Sequence, residues 1–80
     1  MPKSNLVRDK TKEKALHFSA NIEKYMLLRE KSNDEVAAAI GMSTITFYKK
    51  KRNPSTFKLS EAIQTVRYLD FSSADRAEIF

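Results

Sequence analysis

The chain contains a single glycine, Gly41, and no stretch in which apolar and polar residues alternate for the length of a strand. Apolar residues recur instead at helical spacing from about Thr11 to the C-terminus. Hairpins need glycine-rich or Asn-Gly turns, which are missing, so the pattern predicts an all-α fold of about five short helices. Eighty residues allow one core and one domain. Residues 1–10 lack apolar periodicity and read as a flexible basic arm, leaving 11–80 as the folded domain.

Gly41 divides the most structured segment, Ser32 to Pro54. Ser32-Asn33-Asp34-Glu35 is a capping-box pattern: the Ser32 hydroxyl can accept the N–H of Glu35 while the Glu35 carboxylate reaches back to the Ser32 N–H. Val36, Ala37 and Ile40 then mark one face of a short helix, and Gly41 stands where a left-handed residue would end it. Ser43 is placed to cap a second helix that runs through Lys49-Lys50-Lys51-Arg52. Asn53 can close that helix as the residue beyond its last turn, and Pro54 cannot continue it. Two short helices joined by a glycine turn, over about residues 33–52, describe a helix-turn-helix.

The flanking segments supply the body. A long helix is expected from about Thr11, as cap, to Lys31, with Phe18, Ile22, Tyr25 and Met26 facing the core. Leu16, Ala20 and Leu27 make a second row, and Leu28 thickens the stripe. After the connector Ser55-Thr56-Phe57, the residues Leu59, Ala62, Ile63, Val66 and Leu69 trace an amphipathic helix that Asp70-Phe71-Ser72 breaks. Ser72 to Asp75 repeats the capping pattern ahead of a last helix with Ala77, Ile79 and Phe80.

Charge separates along the chain. Residues 43–58 hold five Lys/Arg and no acid, and residues 1–14 hold five against two. Residues 15–42 hold three against four, and residues 59–80 two against four. The net +5 is therefore concentrated in the arm and the second motif helix. Cations grouped on one helix are the footprint of a phosphate-binding surface, because each neutralised phosphate releases condensed counterions. The plainer reading of any single lysine is a solvated charge, and only the clustering argues for binding.

Several function classes are excluded. With no cysteine there is no disulfide, thiolate metal site or cysteine nucleophile, and the lone His17 reads as a surface residue of the first helix. Asp34 and Glu35 are neighbours whose side chains diverge on a helix, so they read as first-turn partners of the helix dipole. No acid pair, Ser/His/Asp set or glycine-rich phosphate loop points to catalysis, so the expectation is a non-enzyme without cofactor, metal or small-molecule ligand. No apolar run approaches the ~20 residues of a membrane span. The first residues lack the apolar core of a secretory signal, which predicts a cytoplasmic protein.

From about Ile22 to Leu69 these residues resemble the phage-repressor helix-turn-helix family of Cro/CI-like, XRE-type proteins, and most closely a small phage-type subfamily. The resemblance rests on Asn33 opening the first motif helix, Ala37 where the two helices cross, Gly41 in the turn, and apolar Met42 and Phe47. The string Ser43-Thr44-Ile45-Thr46-Phe47-Tyr48, the basic run after it, Asn53-Pro54, Phe57 and Leu59 carry the subfamily likeness. It departs at Lys50, commonly apolar, at Glu30-Lys31, often Gly-Leu, and at Lys58, usually a capping threonine. Lys50 therefore either loosens the packing of the recognition helix or adds a DNA contact.

The resemblance implies a lambda-repressor-like domain whose second motif helix lies in the DNA major groove. With Met42 and Phe47 turned inwards, Ser43, Thr44, Ile45, Tyr48 and Lys49 become candidates for base edges. Ile45 would pack on a thymine methyl and Lys49 reach guanine O6/N7. Asn33, Lys50, Lys51, Arg52 and Lys58 become candidates for phosphates. The competing readings make Ile45 a core residue on a rotated helix and Tyr48 a packing residue with its hydroxyl at the rim. The implied function is that of a small Cro-like repressor, sequence-specific for double-stranded DNA and a homodimer at least on its operator. Phe71, Ile79, Phe80 and the spare row of the first helix are the candidate dimer surfaces. The alternative is a protein-interaction module, an antirepressor or antitoxin, on the same scaffold.

Overall fold

The computed structural model describes residues 10–79, which form five α-helices and, among the described residues, no strand. The all-α expectation is met. The predicted arm lies outside the described residues apart from Lys10, and so does Phe80.

Helix α1, Lys10–Arg29, is the longest. Thr11 falls inside it rather than capping it, and the helix stops two residues before the predicted Lys31. The stop is made by Glu30 at φ 56°, with the Lys31 N–H donating to Met26 O (2.9 Å) and the Glu30 N–H to Leu27 O (3.2 Å). This is a Schellman closure built on glutamate, where a left-handed Cβ costs about 1 kcal/mol. Arg29 reinforces it by donating to Leu69 O (3.1 Å) and Asp70 O (3.0 Å) at the end of another helix.

Helix α2, Asn33–Ala39, starts on the predicted capping box: Ser32 Oγ accepts from the Glu35 N–H at 3.2 Å, and Glu35 Oε1 accepts from the Ser32 N–H at 2.9 Å. The bond from the Ser32 N–H also holds the Glu35 carboxyl below its ordinary pKa. Gly41 adopts φ 77°, and the Met42 N–H returns to Ala37 O (3.0 Å). A Cβ built on Gly41 would meet nothing within 4 Å, so the backbone angle, not space, demands glycine there. Helix α3, Thr44–Arg52, follows, with Ser43 Oγ accepting the Thr46 N–H. Asn53 closes it at φ −131° and ψ 74°, not in the left-handed region, and leads into a 3-10 turn, Pro54–Thr56.

Helix α4, Leu59–Leu69, buries Thr65, Val66 and Leu69, while Leu59 at its start stays exposed. Asp70 ends it in the left-handed region. Helix α5, Ser73–Ile79, returns against α1. The Asp75 N–H donates to Ser72 Oγ as predicted, but the Ser72 N–H donates to the Tyr25 hydroxyl (3.0 Å) instead of to Asp75. Tyr25 therefore completes the cap from another helix.

The core gathers Phe18, Ile22, Tyr25 and Met26 of α1, Val36 and Ala37 of α2, Phe47 of α3, and Val66 and Leu69 of α4. Phe57 meets Phe18 edge-on at 5.1 Å, and Phe71 stacks on Tyr25 at 4.6 Å. Phe71 is thus a core residue, which corrects its candidacy as a dimer surface; Ile79 is half-buried and packs against the same core. The second row of α1 faces outward, with Leu16, Leu27 and Leu28 all exposed. No described helix is long and apolar enough to cross a membrane.

Candidate nucleic-acid interface

Phe47, wholly buried, fixes the rotation of α3. With Phe47 locked between α1 and the Phe57 ring, residues one, two and five places further round must face out. Ile45 is 69% exposed, so it is not the core residue that a rotated helix would have made it, and Tyr48 beside it is 47% exposed. Lys49 and Arg52 are exposed beside them. Together with Asn33 and Thr44 these four side chains line an open groove of about 520 Å³ along α3. The Arg52 guanidinium lies over the Tyr48 ring at 5.8 Å, with Nη1 3.4 Å from the Tyr48 hydroxyl.

The two motif helices meet where Ala37, 1% exposed, leaves no side chain in the way. The turn Ile40 to Ser43 is four residues long. Its length and the Schellman closure at Gly41 fix how far the N-terminus of α3 stands from the start of α2. Thr44 Oγ1 consequently reaches Asp34 Oδ1 at 2.6 Å, a contact the sequence reading did not anticipate. The spacing of ten residues from the first turn of one helix to the first turn of the next was the available signal.

The basic run divides in two. Among the described residues Lys49 has no hydrogen-bond or ion-pair partner and Arg52 has no ion-pair partner, its guanidinium lying over Tyr48, so both are available to a ligand. Lys50 is not: its ammonium lies 2.6 Å from Glu61 Oε1 and 3.3 Å from Thr56 O, with both charged side chains largely covered. The Lys50 hydrogen bond, followed by that of the Lys58 N–H (2.9 Å), holds the Glu61 carboxyl below its ordinary pKa. Lys50 replaces the apolar residue of the resembled family by an internal ion pair, which corrects its assignment as a phosphate contact.

Lys51 departs further from expectation. It is 7% exposed, and its ammonium donates to Asn33 Oδ1 (2.7 Å), pairs with Glu23 Oε2 (3.1 Å) and lies 5.5 Å over the Phe47 ring. Position 51 is four residues from Phe47 and so shares its inward face. The four-carbon stem fills the seam between α1 and α3 while its charge is matched at the rim. Lys51 is therefore a strut and not a free phosphate contact. Its bond engages one lone pair of the Asn33 oxygen, and Asn33 also lines the groove.

Among the remaining candidates, Ser43 is exposed, but its hydroxyl donates to Thr46 Oγ1 (2.8 Å) and accepts the Thr46 N–H, so it serves the helix cap. Lys58 is exposed, with its backbone rather than its ammonium engaged by Glu61. The structure thus brings Asn33, Thr44, Ile45, Tyr48 and Lys49 together with Arg52, and directs Ser43, Lys50 and Lys51 to internal work. Among the described residues no group of three or more His, Cys, Asp or Glu could hold a metal ion. Compared with family models, curated proteins and solved structures, the chain finds no match.

Proposed function

We propose that the protein is a sequence-specific double-stranded DNA-binding regulator, in which α2, the Gly41 turn and α3 act as a Cro/CI-like helix-turn-helix. The observation that carries this reading is the outer face of α3. An exposed β-branched residue, Ile45, shares one groove with a tyrosine and two cations, Lys49 and Arg52, that have no ion-pair partner among the described residues. An apolar side chain exposed at such a place has a use against a thymine methyl, and the two cations supply a base contact and a phosphate contact. As a repressor it would act by covering an operator and excluding polymerase, with two copies on half-sites about 34–36 Å apart.

The protein-interaction alternative draws on a different observation. Leu16 and Leu27, 80% exposed, form an apolar row on the side of α1 away from the core, and two of the four motif cations are neutralised internally. Titration of binding to random duplex DNA against salt separates the readings. A DNA-binding protein loses affinity with a slope of about −0.9 in log K per log salt for each phosphate neutralised. A flat titration, or no binding at low salt, counts against the DNA reading.

A further inference from the structure

The polar atoms around the α3 groove are not alike. Asn33 Oδ1 already accepts from Lys51; Lys49 and Arg52 carry donors only; and the Tyr48 oxygen already faces Arg52. Thr44 is the exception. Its hydroxyl hydrogen is committed to Asp34 Oδ1 at 2.6 Å, so Thr44 Oγ1 presents only lone pairs. The same bond holds the exposed Asp34 carboxylate beside Thr44, which lines the groove. One acceptor-only spot thus stands at the N-terminal end of a groove whose two cations, Lys49 and Arg52, carry only donors.

We infer that Asp34, held by Thr44, is a specificity-determining residue that selects a base carrying an exocyclic amine in the major groove, cytosine N4 or adenine N6. This rests on the DNA reading above and deepens it. Guanine presents N7 and O6, and thymine O4, all acceptors that a carboxylate repels. Cytosine and adenine each offer an N–H that Asp34 can accept. The carboxylate also keeps phosphate away from this end of α3, so the backbone contacts shift towards Asn33 and Arg52. The half-site then has a polarity: an amine-bearing base opposite Asp34, and a guanine opposite Lys49.

The test is selection of bound sequences from random duplex DNA by the full chain, its Asp34→Ala and Asp34→Asn variants, and Thr44→Val. Asp34 is exposed, and circular dichroism checks that the variants keep their helix content. The wild type should enrich cytosine or adenine at one position. Asp34→Ala should lower that preference by about fivefold or more, leave the guanine preference at the Lys49 position in place, and bind random duplex more tightly. Asp34→Asn should move the preference towards adenine, for which an amide makes a two-bond match. Thr44→Val, which frees the carboxylate, should blur the same position. A wild-type motif that Asp34→Ala leaves unchanged, or weakens equally at every position, overturns the inference while the DNA reading stands. A wild type that enriches no sequence and binds without salt dependence overturns both.

Discussion

The Lys51 ammonium of α3 lies 2.7 Å from Asn33 Oδ1, the first residue of α2. That bond joins the two short helices at the end opposite the Gly41 turn, while Glu23 and Met26 bring α1 to the same point. A lysine in the most basic segment of the chain therefore sets the angle of α3 to the body. The same bond ties down the Asn33 amide, which also lines the groove, and so couples packing to the surface that would meet a ligand.

Replacing Lys51 by alanine removes a buried stem and leaves a hole between α1 and α3. The expected cost is about 1–3 kcal/mol of folding stability, a fall in melting temperature of several degrees for a domain of this size. Lys51→Met keeps most of the stem, and its cost should be under ~1.5 kcal/mol. The salt slope of DNA binding should be unchanged in the methionine variant. Thermal melts and salt titrations of both variants check this, and a methionine variant that keeps its melting point but loses salt dependence would return Lys51 to the phosphate-binding group.

The exposed cations should behave differently from each other. Lys49→Ala is expected to relax the preference at one base pair and cost about 1–3 kcal/mol on the preferred site. Arg52→Ala should weaken all duplexes alike and reduce the salt slope by about 1. Lys50→Ala should leave both the motif and the slope in place while destabilising the fold, since its partner is Glu61. Competition binding on preferred and random duplexes distinguishes the three outcomes, and equal behaviour of Lys49→Ala and Arg52→Ala on every sequence removes the assignment of Lys49 as a base reader.

Two helix ends carry left-handed residues that are not glycine, Glu30 and Asp70, both at φ 56°, while Gly41 holds the third such position. Gly41→Ala has room for its methyl group but must adopt φ near 77°. It should lose about 1 kcal/mol, or roughly 4–8 °C in melting temperature. Glu30→Gly relieves the same strain and should gain up to about 1 kcal/mol. If Gly41→Ala melts with the wild type, the turn is not the constraint argued for it.

The boundaries of α2, the start of α3 and the inward face were legible because they follow from local rules. Ser32 and Glu35 sit three apart, Gly41 is the lone glycine, and Phe47 and Ile22 fall on apolar rows. The fates of the cations were not legible, because sequence spacing places Lys51 on the Phe47 face but says nothing of Glu23 or Asn33 waiting there. Basic charge does not imply exposure, because a lysine stem is long enough to be buried while its ammonium reaches a partner. Phe71 misled for the converse reason: beyond the end of a helix, apolar periodicity does not say which way a side chain turns, and its stacking on Tyr25 is a tertiary fact.

The junction of α1 with α5 supplies a pH-dependent part of the stability. Asp75 Oδ2 accepts from Lys24 Nζ (2.8 Å) and the Tyr25 hydroxyl (2.5 Å). The Lys24 bond and then the Tyr25 bond hold the Asp75 carboxyl below its ordinary 3.8, and Asp75 in turn raises Lys24 above its ordinary 10.5. A carboxyl depressed by folding stabilises fully above its unfolded pKa, and that stabilisation is lost as pH falls through the lower folded value. Glu61, depressed by Lys50, adds to the same acid limb. For Lys24 the sign reverses, with stabilisation present below 10.5 and lost as pH rises past the folded value. Urea midpoints should therefore fall for the wild type below about pH 4. They should fall less steeply for Asp75→Asn and Glu61→Gln, and Asp75→Asn should also flatten the alkaline limb. Tyr25→Phe, which leaves the Ser72 N–H without its acceptor, should cost about 1–2 kcal/mol at neutral pH. Acid limbs that superimpose for the wild type and both carboxyl variants would show that these pairs contribute nothing to folding.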